Sequence, residues 1–203
     1  MVQALSQPIT FEDFIEWYPE HSEYRYELRR GSIIERPKPR GKHSEIAGCL
    51  SGLLFLHLQQ QQLPYFIPKE CMVRAEGESG YEPDVIVLDS AAVQSEPSWA
   101  ASSVITQGRS VPLVIEVVSS NWRDDYYFKL ADYEALGISE YWIVNYAALG
   151  GRKFIGNPKQ PTLTVCTLIE GEYQLAQFRG TDRIESPQFP ELALTAAPIF
   201  AAE

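Results

Sequence analysis

The stretch "PLVIEVVSSNWRDDYYFKLADYEALGISEYWIVN", Pro112–Asn145, sets the fold, because it changes period twice. Alternation along its first segment sends Leu113, Ile115 and Val117 to one face and Val114, Glu116 and Val118 to the other. That makes a strand apolar on both sides except at one carboxylate. Strands of this kind are central ones, covered on both faces. A helix follows, with Asn121 as N-cap, Asp124 at the third helical position, Tyr126, Leu130 and Tyr133 on one stripe, and Gly137 just past the end. "EYWIVN" is the next strand. Strand, helix and strand in this order form a βαβ crossover, so the Glu116 strand and the Tyr141 strand run parallel in one sheet.

Working outward, Thr10 with Asp13 at the capping-box position opens a short helix that Pro19 ends. "YRYELRRGSIIER" (24–36) reads as a hairpin turning at "RRGS". Ile46, Leu50, Leu53, Leu54 and Leu58 form a helical stripe within 42–62, stopped by Pro64, and His43 at its start reads as a solvated first-turn residue. "YFIPKECMVRA" (65–75) reads as a strand, "GYEPDVIVLDS" (80–90) as a second, buried one opening with Asp84, and "PTLTVCTLIEGEYQLAQF" (161–178) as a terminal hairpin turning at "EGE". Without repeats or linkers, the expectation is one α/β domain over 1–203, a central mixed β-sheet flanked by helices, with 1–9 a loose N-terminal tail.

Composition narrows the function classes. With 45% hydrophobic and 22% charged residues in 203, the chain is of ordinary globular composition. Seventeen basic against 27 acidic residues give a net charge of −10, which argues against nonspecific coating of nucleic acid but leaves room for a local basic groove. There is no run of 18 apolar residues and no signal-peptide pattern, so a cytoplasmic protein away from the membrane is expected. Cys49, Cys71 and Cys166 match neither a zinc spacing nor a disulfide framework and read as reduced core residues.

Glu116 carries the chemical argument. A buried carboxylate costs several kcal/mol unless a cation, dense hydrogen bonds or a raised pKa compensates it. Asp84 lies 32 residues earlier, and antiparallel pairing of the two strands would bring both acids together. Converging carboxylates take a divalent cation. Asp84, Glu116, the Val117 carbonyl and waters make an oxygen set suited to Mg²⁺ or Mn²⁺, and too sparse and hard for structural zinc. A phosphate transition state also needs a fixed positive charge, for which lysine is the usual choice. Position 118, two residues beyond Glu116, holds valine. From Glu116 the strand runs about 13 Å to Ser120 at about 3.3 Å per residue. The helix from Trp122 returns about 10 Å to Lys129 at 1.5 Å per residue. Lys129 thus comes back to about the level of Glu116, provided it shares a face with Tyr133. Taken singly, Asp84 after Pro83 also reads as a turn-capping residue, and Lys129 as a solvated helix lysine.

The segments "PDVIVLD" and "PLVIEVVSSNWRDDYYFKLADYEALGISEYWIVN", with "TFEDFIEW", "YELRRGSI", "KHSEI" and "SPQFPELALTAAPIF", resemble the Uma-type restriction-endonuclease-like family of the PD-(D/E)XK nuclease superfamily over nearly the whole chain. The resemblance implies a restriction-endonuclease-like core, with Asp84 and Glu116 as metal ligands, Lys129 as a relocated catalytic lysine and Glu27 as a further acidic position. Arg30 and Ser32 stand where the family continues with Asp and Glu, and "SSN" where it has a proline. Glu27, flanked on its strand face by Arg25 and Arg29, also reads as a surface ion-pair partner. The function so implied is a Mg-dependent (or Mn-dependent) endodeoxyribonuclease using metal-activated water on DNA, a homodimer because duplex cleavage takes one site per strand. The alternatives are a catalytically silent nucleic-acid-binding or interaction module on the same fold, and a hydrolase of small phosphoesters.

Overall fold

The structure, a computed structural model, describes residues 8–202. The expected tail lies outside the described residues over 1–7, and its last two positions are tied down: Ile9 N–H donates to the Gly31 carbonyl at 3.0 Å, and Pro8 packs against Gly31. Helix α1 (Phe11–Trp17) starts with the capping box read from the sequence, Thr10 and Asp13 each accepting the other's backbone N–H. Strands β1 (Tyr24–Arg29) and β2 (Ser32–Pro37) form the expected hairpin, with Arg30 (φ 49°) and Gly31 (φ 73°) in the left-handed conformations that a two-residue turn needs. Helix α2 (Lys42–Gln60) buries Ile46, Leu50, Leu54 and Leu58.

The next segment departs from the sequence reading. The single strand expected over 65–75 is two, β3 (Tyr65–Phe66) and β4 (Met72–Ala75), and they belong to different sheets. The stretch at 80–90 divides in the same way into β5 (Ser79–Tyr81) and β6 (Val85–Asp89), with Asp84 in the link just ahead of β6. Pro68 and Pro83 lie at the two crossings, where a residue without an N–H cannot continue a ladder.

The remaining elements are α3 (Trp99–Ser102), β7 (Val104–Ile105), β8 (Leu113–Val117), α4 (Leu130–Leu136), β9 (Glu140–Asn145), α5 (Arg152–Ile155), β10 (Thr162–Ile169), β11 (Glu172–Phe178) and α6 (Ala196–Ala201). The central mixed sheet has the order β11-β10-β9-β8-β6-β3, and within it only β8 and β9 run parallel, as the crossover requires. A second mixed sheet, β2-β1-β5-β4-β7, lies beside it. Leu113, Ile115 and Val117 pack with the apolar stripe of α2, while Val114 and Val118 pack with Tyr126, Tyr133 and residues of the second sheet. The central strands are therefore covered on both faces. Cys71 and Cys166 are buried and free of disulfides, and Cys49 is half-buried. No helix among the described residues is long and apolar enough to cross a membrane.

The crossover helix is where local reading and structure part most. Asp124–Lys129 is a π-helical turn that leads into α4, and the Asp124 carboxylate pairs with Arg29 and Arg36 instead of serving the helix start. The C-terminal end is as read: Gly137 (φ 83°) donates to the Glu134 carbonyl and Ile138 to that of Tyr133. Gly108 sits against this end, and a Cβ there would lie 2.5 Å from the Gly137 carbonyl carbon. Backbone cannot yield as a side chain can, so Gly108→Ala should cost about 2–3 kcal/mol in urea unfolding.

Candidate active site

Antiparallel pairing of β6 with β8 matches Val85 to Ile115, so one further step brings Asp84 beside Glu116. Asp84 Oδ2 accepts the Val117 N–H at 2.9 Å, which fixes the carboxylate at the end of the ladder. Lys129 reaches the same point from the helix. Its Nζ lies 2.9 Å from Glu116 Oε1 and 2.7 Å from Glu27 Oε1, and the Tyr133 hydroxyl donates to Glu116 Oε1 at 3.0 Å. The π turn buries Asp125, Tyr126 and Lys129 together and leaves Tyr127 and Phe128 exposed. Such turns recur at functional sites.

Glu27 is not a surface ion-pair partner. Only 4% exposed, it holds Lys129 with one oxygen and Arg36 Nε at 2.8 Å with the other. Arg36 is the diagonal cross-strand neighbour, since Glu27 pairs with Ile34 in the hairpin register. Arg25 turns instead to Glu82 and Asp84, each at 3.1 Å, and Arg29 to Asp124 at 2.8 Å. His43 is likewise not simply solvated: its Nε2 lies 2.9 Å from Asp84 Oδ2. These groups line a cleft of about 540 Å³ that includes Glu27, Asp84, Glu116, Val117 and Lys129 and is rimmed by Tyr24, Lys38 and Arg40.

The electrostatics separate the carboxylates into two kinds. Burial raises the pKa of Glu27, but Lys129 and Arg36 outweigh it and hold the group below the ordinary glutamate value. Burial likewise opposes ionisation of Asp84, and His43, Arg25 and Lys129 prevail. At Glu116 burial wins over Lys129, helped by the negative charges of Asp84 and Glu27, and the pKa is pushed up to about 7. Burial also drives Asp125 well above the usual aspartate range, against Lys129 and with Glu116 and Asp84 adding repulsion. Burial disfavours the Lys129 ammonium, but Glu116, Glu27 and Asp125 hold it firmly protonated.

Glu116 and Asp125 are thus the two carboxyls whose ionisation the metal-free site disfavours. Among the described residues no group of three His, Cys, Asp or Glu side chains is arranged to hold a metal ion. The donor set, two adjacent carboxylates and a nearby main chain, fits a hard divalent ion that takes most ligands from water and substrate, and does not fit a closed protein cage. Arg25, Arg36 and Asp125 escaped the sequence reading as site residues, and His43 was read there as a solvated first-turn residue. Asp125 was within reach of it, because i and i+4 share a helix face and Lys129 is four residues on. Arg36 was accessible through the hairpin register.

A mixed central sheet whose strand ends gather an acid pair and a lysine at the border of a second sheet defines an α/β protein of the restriction-endonuclease type. The family described as "Uma2: Putative restriction endonuclease" matches residues 11–197, and the chain belongs to it. A solved structure, that of a "putative nuclease belonging to DUF820" from Anabaena variabilis ATCC 29413, is similar at 20% identity with a TM-score of 0.71, covering 96% of this chain and 99% of that one. At that identity the likeness concerns the fold. No curated protein matches the chain.

Proposed function

We propose that this protein is a divalent-metal-dependent endodeoxyribonuclease. The observation that carries the reading is the Lys129 ammonium held between Glu27 and Glu116, with Asp84 alongside, on the floor of an open cleft in a chain of the Uma2 family. Asp84 and Glu116, with the Val117 carbonyl, are the residues that would hold Mg²⁺ or Mn²⁺, which when bound neutralises phosphate charge and acidifies water. Lys129 supplies a fixed ammonium to the phosphate oxygens that gain charge. Glu27 positions that ammonium, and Arg36 positions Glu27. Arg25 and His43 compete with the ion for Asp84. Cleavage of both strands of a duplex at one place takes two such sites and hence two copies of the chain.

The second reading, a silent binding module, draws support from the pairing of Asp84 with two cations. The deciding experiment incubates wild-type and Glu116→Ala protein with plasmid, single-stranded DNA and RNA across Mg²⁺ and Mn²⁺ concentrations, alongside calorimetric titration with Mn²⁺. Ion-dependent cleavage lost in the variant is expected. Wild-type protein that binds no Mn²⁺ and cuts nothing would leave the binding module as the function.

A further inference from the structure

The cleft also constrains what can enter it. Its working groups lie at the bottom: Glu116 is 3% and Lys129 5% exposed. A volume of about 540 Å³ falls in the range that encloses a small organic molecule, or a nucleotide or two.

The rim carries a different chemistry from the floor. Of the chain's 17 Lys and Arg residues, five line the cleft. Arg25, Arg36 and Lys129 are committed to carboxylates within it. Lys38 and Arg40, in "PKPR" between β2 and α2, are exposed and form no ion pair among the described residues. Pro37 and Pro39 stiffen the segment that presents them. Across the hairpin register Tyr24 pairs with Pro37, so it stands at the same rim. Tyr24 is 43% exposed, stacks on no other ring and makes no side-chain hydrogen bond among the described residues. A large aromatic left open beside two free cations matches the combination that binds single strands, in which bases stack on rings and cations follow the backbone.

We propose that the cleft admits one unpaired DNA strand, with a base stacked on Tyr24 and the backbone held by Lys38 and Arg40. The proposal rests on the nuclease reading for what happens at the floor, but strand selection belongs to the rim. It gives each copy of the chain a substrate that needs no second site.

The test measures fluorescence anisotropy of a labelled single strand and of a blunt duplex of the same sequence against wild-type protein in EDTA, where cleavage is suppressed. The single strand should bind at least tenfold tighter. Tyr24→Ala should weaken single-strand binding roughly tenfold, while Tyr24→Phe, which keeps the ring, should not. Lys38→Ala and Arg40→Ala should each lower the slope of log K against log salt by about 0.7. Equal or tighter duplex binding, or indifference to Tyr24→Ala, overturns the proposal. Cleavage of the same two substrates in Mg²⁺ separates it from the nuclease reading. Faster cutting of the duplex overturns strand selection alone. Strand-selective binding without any cleavage upholds it and overturns the nuclease.

Discussion

Lys129→Ala protein should cut DNA roughly 100-fold or more slowly than wild type under saturating Mg²⁺, the scale expected when one fixed transition-state charge is removed. The loss should fall on the rate and not on ion affinity. Asp84 and Glu116 remain in place, and removal of the neighbouring ammonium makes the site more negative, so Mn²⁺ should bind as tightly as before or more tightly. Stability should suffer as well. Lys129 is shared by two buried carboxylates, and removing one partner of a buried ion pair costs about 3–5 kcal/mol. Glu116 can relieve part of that by taking up a proton, and Glu27 retains Arg36. Lys129→Arg keeps the charge but brings a planar fork into a space shaped for an ammonium, and should recover little activity. Single-turnover cleavage and Mn²⁺ calorimetry on the same preparations distinguish these effects. A Lys129→Ala enzyme working at the wild-type rate would remove lysine from the mechanism.

Glu116→Gln should make the metal-free protein more stable at pH 8 while abolishing ion binding. A carboxyl whose folded pKa is raised contributes stability that is complete below the unfolded value and is lost as pH rises through the folded one. For Glu116 that window runs from the ordinary glutamate value of 4.5 to about 7. Metal-free wild type should therefore lose about 2–3 kcal/mol on this account between pH 5 and pH 8, and the glutamine variant should not. Asp125 contributes in the same direction. Glu27 and Asp84, whose pKa values are lowered, act in the opposite sense and only at acid pH, where their stability is lost as they protonate. Thermal melts in EDTA across this pH range measure the slope. Mn²⁺ binding at pH 6.5 should release protons, seen as a dependence of calorimetric heat on buffer ionisation enthalpy. A wild-type melting temperature flat from pH 5 to 8 would show that Glu116 is ionised at little cost.

Both predictions start from a residue that the sequence alone makes conspicuous. Glu116 stands out because a lone carboxylate in an otherwise apolar strand contradicts the pattern around it, and its environment is as dry as that pattern implies. The return of Lys129 to the same level follows from the rise per residue of a strand and a helix. That arithmetic concerns axial distance, which changes little when one turn is π-helical. The turn does change which side chains face inward, and there the local pattern misleads: Asp125 is buried beside Lys129, and Asp124, read as the third residue of the helix, forms ion pairs with Arg29 and Arg36.

The sequence by itself determined the local elements. The capping box at Thr10, the two hairpins, the parallel crossover and the C-terminal end of its helix are fixed by residues within a few positions of one another, where periodicity, caps and glycine conformations act. Only the tertiary structure decided that the chain divides between two sheets at Pro68 and Pro83, because proline ends a ladder without saying which sheet the next strand joins. It alone decided the electrostatics of the site. Glu27 meets Lys129 across 102 residues, and Arg25 and His43 meet Asp84 across 59 and 41. Charges attract without regard to sequence separation, and which pairs form depends on the faces that the packed sheets bring together.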